Sequence, residues 1–181
     1  GWFVDAPGAS RSYLAKWSGA EWSADAPVLA APVSTLGAFD VGAGERMYVA
    51  YDSSQTTAQH LVWDGAQATL LDTPGGFSTI VTSQLVHDSG NGPELYIAGT
   101  FQSVAGVTAR NIARWNGQTW SAVGSQGPTT AARALAFHDD GSGGGEQLYA
   151  AGAFTIAGGQ SALRVARFDG NSWGPVGLGL S

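Results

Sequence analysis

The stretch LYIAGTFQSVAGVTARNIARWNG at residues 95–117 decides the fold, because it returns at residues 148–170 as LYAAGAFTIAGGQSALRVARFDG. The two copies align without a gap at an offset of 53 residues, and residues 1–17 align with residues 99–115 at an offset of 98. A more divergent copy surrounds Tyr48. A repeat of roughly 50 residues predicts an array of similar structural units.

Each unit carries two kinds of turn signal. An aromatic residue, a turn pair and a second aromatic residue recur as WSGAEW from Trp17, WNGQTW from Trp115 and FDGNSW from Phe168, with a degenerate copy from Trp63. The Asn-Gly and Asp-Gly pairs suit type I′ hairpins, which need positive φ at both central residues. An acidic, glycine-rich loop (DVGAGE, DSGNGPE or DDGSGGGE) precedes each tyrosine-centred apolar run. These signals predict strands joined by hairpins.

Four short strands, and no helix, are predicted in each unit. In the third unit they are Thr79–His87, Glu94–Phe101, Asn111–Trp115 and Thr119–Val123. The segment TTAARALAF at residues 129–137 has helical propensity, but its repeat partner TIVTSQLVH has the β-branched composition of a strand. The repeat therefore predicts a strand in both places.

The predicted fold class is all-β, a β-propeller with four-stranded antiparallel blades. Successive leading aromatic residues are 46, 52 and 53 residues apart, which gives the length of a blade. We expect about four blades in a single propeller domain or part of one, at residues 1–30, 31–74, 75–125 and 126–181, with the first blade lacking its inner strand.

The order of these motifs resembles kelch and galactose-oxidase-type blades. It is most similar to the LYxxGxF…IARWxGxxW repeats of predicted secreted bacterial proteins. Paired glycines end the second strand in kelch blades, whereas this chain has Ala98-Gly99, Ala151-Gly152 and, in the second unit, Ala50-Tyr51. The copper cofactor of galactose oxidase requires a Cys crosslinked to a Tyr, and a chain with no Cys excludes it.

Composition excludes several classes of protein. A net charge of −6 argues against nucleic-acid binding, and the lack of Cys excludes disulfide scaffolds and Cys-ligated zinc. A hydrophobic content of 44% argues against disorder, and no apolar run is long enough to span a membrane. The start GWFVDAPG shows no signal peptide. A single Lys among many Gly, Ala, Ser and Thr residues favours an extracellular or cell-surface protein.

Most aromatic residues are explained by the repeat. Trp17, Trp22, Trp63, Trp115, Trp120 and Trp173 occupy repeat positions. We expect all six to pack between blades, the alternative being a platform for stacking sugars. Trp2 breaks the pattern, since Thr and Ala fill its position in other units, and it is a candidate ligand-binding residue. Arg133 is a second candidate, because it lies in an inner strand without a basic counterpart and is expected to face the central channel.

The acidic loops are the candidate metal site. Asp88, Glu94, Asp139, Asp140 and Glu146 supply hard oxygen ligands beside turn glycines, which makes Ca²⁺ a possible cofactor. The spacing does not match an EF-hand. The alternative is an ordinary hairpin loop in which Asp and Gly serve turn geometry.

His87 and His138 are equivalent residues at the end of the inner strand, and they complete the set of candidate ligand-binding residues. The alternative is that each bonds to its own loop. No G-x-S-x-G elbow, no phosphate-binding loop and no unique pair of carboxylates is present. A catalytic site is therefore not indicated by any motif.

Two functions fit these observations. The first is a non-catalytic extracellular β-propeller that acts as a binding or scaffold module for a glycan or protein ligand. The alternative is a carbohydrate-active enzyme, a lyase or hydrolase, with its site at the channel mouth. Because open sheet edges and half-covered blades invite association, we expect a ring completed by another copy or by further chain, or a small ring of four blades.

Overall fold

A computed structural model describes residues 13–23, 27, 29, 31–42, 44–52, 58–71 and 80–177. These residues form β-strands, turns and loops without a helix, as the repeat predicts. None of their elements is therefore a helix that could cross a membrane. Trp2 lies outside the described residues.

The strands follow the repeat. The first unit contributes the hairpin β1 (Lys16–Trp17) and β2 (Trp22–Ser23). The second blade is formed by β3 (Val33–Phe39), β4 (Arg46–Asp52), β5 (Ala58–Trp63) and β6 (Ala68–Leu70). Each strand is antiparallel to its neighbours, and the order in the sheet is the order in the chain.

The third and fourth blades repeat this sheet and add a small hairpin between their second and third long strands. The third blade has β7 (Val81–Asp88), β8 (Pro93–Gly99), β9 (Ser103–Val104), β10 (Val107–Thr108), β11 (Ile112–Trp115) and β12 (Trp120–Ala122). The fourth has β13 (Ala132–His138), β14 (Gln147–Gly152), β15 (Ile156–Ala157), β16 (Gln160–Ser161), β17 (Val165–Phe168) and β18 (Trp173–Pro175). The segment with helical propensity is therefore a strand, β13, as its repeat partner predicts.

Alternation along each strand sends successive side chains to opposite neighbouring blades. Between the second and third blades, Tyr48 and Ala50 pack with Leu95 and Ile97 in one buried cluster. Between the third and fourth blades, Tyr96, Ala98 and Ile112 pack with residues that include Leu148, Ala150 and Trp173. The cores of the protein thus lie between blades rather than within a single sheet.

The hairpin turns differ from the expected type I′ geometry. Gly117 and Gly170 have positive φ angles of 96° and 95°, but Asn116 and Asp169 do not have positive φ. Each of these two residues instead accepts hydrogen bonds through its side chain from the amides two and three residues later. The type I′ prediction is therefore wrong, because the side-chain caps stabilise a longer, four-residue loop.

The tryptophans do not all pack between blades. Trp63, Trp115 and Trp173 are buried and Trp120 is half-buried, but Trp17 and Trp22 are 51% and 52% exposed. The two exposed rings pack against each other, with centroids 5.3 Å apart. The expectation fails for this pair because β1 and β2 form only a two-stranded sheet among the described residues.

Candidate functional site

One face of the fourth blade combines apolar and charged side chains at the surface. We call it the fourth-blade face, and it consists of Ala134, Ala136, His138, Tyr149, Ala151, Val165 and Arg167. Tyr149 is paired with Ala136 on one side and with Arg167 on the other, and directly paired residues project from the same side of a sheet. All seven side chains are exposed or half-buried.

The positions of Tyr149, Ala151 and Val165 are buried in the two preceding blades. Tyr149 corresponds to Tyr48 and Tyr96, whose exposed fractions are 0% and 3%. The alanines that match Ala151 in those blades are both fully buried. There the covering surface is the next blade along the chain. The fourth-blade face therefore has the composition of an interface between blades and is uncovered among the described residues.

Two polar side chains of the fourth-blade face, Tyr149 and Arg167, bind a carboxylate from the loop that precedes β14. The Tyr149 hydroxyl and Arg167 Nη1 each donate a hydrogen bond of 3.1 Å to Asp140 Oδ2. The pKa of Asp140 is lowered to about 2. The largest causes are hydrogen bonds from the Ser142 side chain and backbone, followed by the hydrogen bond from Tyr149 and the positive charge of Arg167. Asp140 is thus ionised, and the positive charge of Arg167 is paired.

The third blade builds the same arrangement from a different carboxylate. Tyr96 and Arg114 donate to Glu94 Oε2 at 3.2 Å and 3.1 Å. The residue of the fourth blade that aligns with Glu94 is Gln147, a neutral amide. The carboxylate of the fourth blade comes from the preceding loop, which is two residues longer than in the third blade.

Three of the predicted ligand-binding residues, Arg133, His87 and His138, lie in the described part of the chain, and the structure does not bring them into one site. His138 lies on the fourth-blade face, with its ring centroid 6.0 Å from that of Tyr149. Arg133 is exposed at a bulge near the start of β13, roughly 16 Å away along the strand at about 3.3 Å per residue. His87 stacks on Phe137 at a centroid distance of 3.4 Å. Arg133 and the two histidines therefore lie at different ends of the inner strands.

Carboxylates of the acidic loops accept hydrogen bonds from backbone amides of their own loops. Asp88 Oδ1 accepts hydrogen bonds from the amides of Gly90 and Gly92, and Asp139 Oδ1 accepts one from Gly141. Glu146 Oε2 lies 4.0 Å from His87 Nδ1. Within the described ranges no three His, Asp or Glu side chains are grouped as metal ligands. Calcium binding stays a prediction, and these contacts are those of ordinary hairpin loops.

A second surface feature, the hairpin cleft, lies between β1 and the second blade. It has a volume of about 360 Å³. One wall is formed by Ala15, Lys16 and Trp17, and the other includes Met47 and Trp63. The sequence analysis expected half-covered blades to associate and named His138, but it did not identify the other residues of the fourth-blade face or those of this cleft, because the repeat explained most of them as packing. The alignment of the repeats is the signal that finds both surfaces, because it assigns their residues to positions that are covered in other units.

Comparison with known families agrees with the geometry of the sheets. A family model described as a domain of unknown function (DUF5122), beta-propeller, matches residues 147–172, which contain β14 and β17. No curated protein and no solved structure is significantly similar to the chain. The β-propeller prediction is confirmed in this form, while the resemblance to kelch blades stays a prediction.

Proposed function

We propose that the protein is a non-catalytic, extracellular or cell-surface β-propeller that acts as a binding and scaffold module for protein. Its principal ligand is a further blade of the same type, which covers the fourth-blade face. The observation that carries the proposal is that Tyr149 and Ala151 are only half-buried, at positions that the two preceding blades bury completely or almost completely. In this proposal the blades are of the kelch type.

The chemistry of the face fits such a ligand. Tyr149, Ala151 and Val165 offer apolar surface whose removal from water favours association. Arg167 already has its carboxylate partner, so covering the face does not leave an unpaired buried charge. Arg114 and Glu94 occupy the corresponding place at the interface of the third and fourth blades. In solution the chain itself can supply the ligand, through association of a second copy.

Sedimentation velocity over a range of concentrations tests this proposal. We expect the wild-type chain to form dimers or larger assemblies and the variant Ala151→Arg to remain monomeric, because the matching Ala98 is fully buried and a charged Arg at such a position would be buried without a partner. Asn171→Arg adds the same charge on the exposed turn between β17 and β18, and it serves as the matched control. A wild-type chain that stays monomeric, or an Ala151→Arg variant that assembles like the control, would overturn the proposal.

A glycan is the second candidate ligand, and the exposed pair Trp17 and Trp22 favours it. Two indole rings tilted by 49° at 5.3 Å present a surface on which sugar rings stack. A panel of polysaccharides titrated against wild-type protein and Trp22→Ala, with tryptophan fluorescence as readout, tests this candidate. Binding that requires Trp22 supports it, and equal signals from both proteins rule it out.

A further inference from the structure

We infer that a cavity between the second and third blades binds a free α-amino acid with an apolar side chain, whose carboxylate lies on Arg46 and whose ammonium group lies on Asp64. The inference goes beyond the proposed function, because this cavity is separate from the fourth-blade face. It has a volume of about 270 Å³, and its wall includes Arg46, Val62, Asp64, Gln67, Thr69 and Trp115.

A difference between two blades opens the cavity. Val62 pairs with Tyr48 in the second blade. Arg114 holds the same position in the third blade, where it pairs with Tyr96. The Arg114 side chain extends to Glu94 and ends in an ion pair of 3.1 Å. Val62 is much shorter than an arginine, so the second blade has open space where the third blade has this side chain.

The same comparison reverses a charge at the wall of the cavity. Arg46 lies opposite Phe39, and Glu94 holds the same position opposite His87. The second blade therefore has a cation where the third blade has a carboxylate. Among the described residues, no carboxylate lies within ion-pair distance of the half-buried Arg46. A ligand carboxylate in the open space would accept the two parallel hydrogen bonds that a guanidinium group favours.

Asp64 supplies a negative charge at the same cavity. Its Oδ1 atom accepts hydrogen bonds of 2.7 Å and 2.9 Å from the amides of Gln67 and Ala66. These bonds and, to a smaller degree, the charge of Arg46 lower the pKa of Asp64, so this carboxylate is ionised at neutral pH. Its Oδ2 atom makes no hydrogen bond within the described part of the chain. The cavity thus presents one cation and one anion, which matches the opposite charges of an α-amino acid.

The remaining wall determines the size and the side chain of the ligand. Val62 and Trp115 belong to one buried apolar cluster, and the half-buried Leu71 packs against it. They offer a surface from which an apolar side chain displaces water. A volume of about 270 Å³ is near the lower end of ligand pockets, which favours a small molecule over a polymer. An acidic sugar shares the carboxylate but brings no positive charge to Asp64, so it fits the cavity less well.

Isothermal titration calorimetry with L-leucine at pH 7 tests the inference. We expect one site per chain with a Kd of about 1 mM or tighter. N-acetyl-L-leucine lacks the ammonium group and L-leucinamide lacks the carboxylate, so each should bind at least severalfold more weakly. Absence of saturable leucine binding in this range, or a tighter complex with D-galacturonate, would overturn the inference.

A variant that copies the third blade tests the role of Asp64. Asn116 caps the corresponding turn with hydrogen bonds of 3.0 Å and 2.9 Å from the amides two and three residues later, so Asp64→Asn should keep the turn and lose only the charge. It should weaken leucine binding at least severalfold and should not weaken binding of N-acetyl-L-leucine further. Asp169→Asn makes the same change in the fourth blade and is the matched control. Equal leucine affinities of these two variants would refute the assignment of the ammonium site.

A second variant tests the cavity itself. Arg46→Glu combined with Val62→Arg copies the pair of Glu94 and Arg114 and fills the open space with an arginine side chain. This protein should melt close to the wild type and show no leucine binding. Leucine binding that survives in the folded double variant would contradict the inference. If the double variant is unstable, the comparison of Asp64→Asn with Asp169→Asn decides the question.

Discussion

Arg167 donates a hydrogen bond of 3.1 Å to Asp140, although the repeat position of its acidic partner holds the neutral Gln147. In the third blade that position is Glu94, which binds Arg114 at the same distance. The fourth blade has thus kept the Tyr–Arg–carboxylate arrangement while changing the element that supplies the carboxylate. The arrangement is present on a face that the described residues leave uncovered, and this supports the proposal that a further blade covers it.

Because Asp140 supplies the carboxylate that Glu94 supplies in the third blade, a carboxylate at position 147 should compensate for the loss of Asp140. Asp140→Asn should lower the melting temperature, because Arg167 and the Tyr149 hydroxyl lose their acceptor. Adding Gln147→Glu to that variant should restore the melting temperature, since it rebuilds the arrangement of the third blade. Glu94→Gln should cost about 1 kcal/mol, as expected for a partly exposed pair. A double variant that melts no higher than Asp140→Asn alone would contradict the equivalence of the two carboxylates.

Asn111 should contribute more to stability than its repeat equivalent, Arg164. Both have left-handed backbone, with φ of 63° and 66°, but only Asn111 is buried. Its side chain accepts from the amide of Phe101 and donates to the carbonyl of Pro128. Asn111→Ala should reduce the free energy of unfolding by about 2–4 kcal/mol. Arg164→Asn should be neutral or stabilising, because Asn tolerates this conformation better. Urea denaturation of both variants checks the comparison, and equal losses would contradict it.

The buried pair of Tyr48 and His60 predicts sensitivity to acid. The Tyr48 hydroxyl is hydrogen-bonded to His60 Nδ1, and burial lowers the pKa of His60 to about 3. In the unfolded chain the pKa is about 6.5, so the unfolded state binds more protons between these two values. The free energy of unfolding should therefore be independent of this group above pH 6.5 and fall by about 1.4 kcal/mol per pH unit below it.

A matched variant isolates this effect. His60 corresponds to Ile112 of the third blade, so Tyr48→Phe with His60→Ile replaces the polar pair by residues that suit the interface. Urea midpoints at pH 7, 6 and 5 should show a smaller loss of stability for this variant than for the wild type. An unchanged pH dependence in the double variant would rule out His60 as its source.

Close packing explains why the second strands of the last two blades end in glycine. A Cβ atom at Gly152 would collide with the carbonyl oxygen of Ala131, which accepts the amide of Ala153. Gly152→Ala should therefore cost about 1–3 kcal/mol through a shift of the backbone. Gly174→Ala is the control, since open space surrounds that position. Thermal unfolding that is equal for the two variants would contradict this explanation.

The strands could be predicted because their signals are local and repeated. The aligned runs around Tyr96 and Tyr149, and the Gly turns at 117 and 170, recur at a fixed offset, which decided between strand and helix at residues 129–137. The repeat could not predict that Asp140 binds Arg167, because the acidic loops differ in length between blades. It also could not predict exposure, since the same Trp or Tyr is buried or exposed according to whether a neighbouring sheet is present.

The most direct test of the proposed role is hydroxyl-radical footprinting of Tyr149 and Tyr96 at low micromolar and near-millimolar protein concentrations. Tyr149 is half-buried and Tyr96 is 3% exposed, so Tyr96 is the internal control. We predict that Tyr149 is oxidised readily in the dilute sample and becomes as protected as Tyr96 in the concentrated one. Oxidation of Tyr149 that is equally fast at both concentrations would contradict the claim that its face binds a further blade.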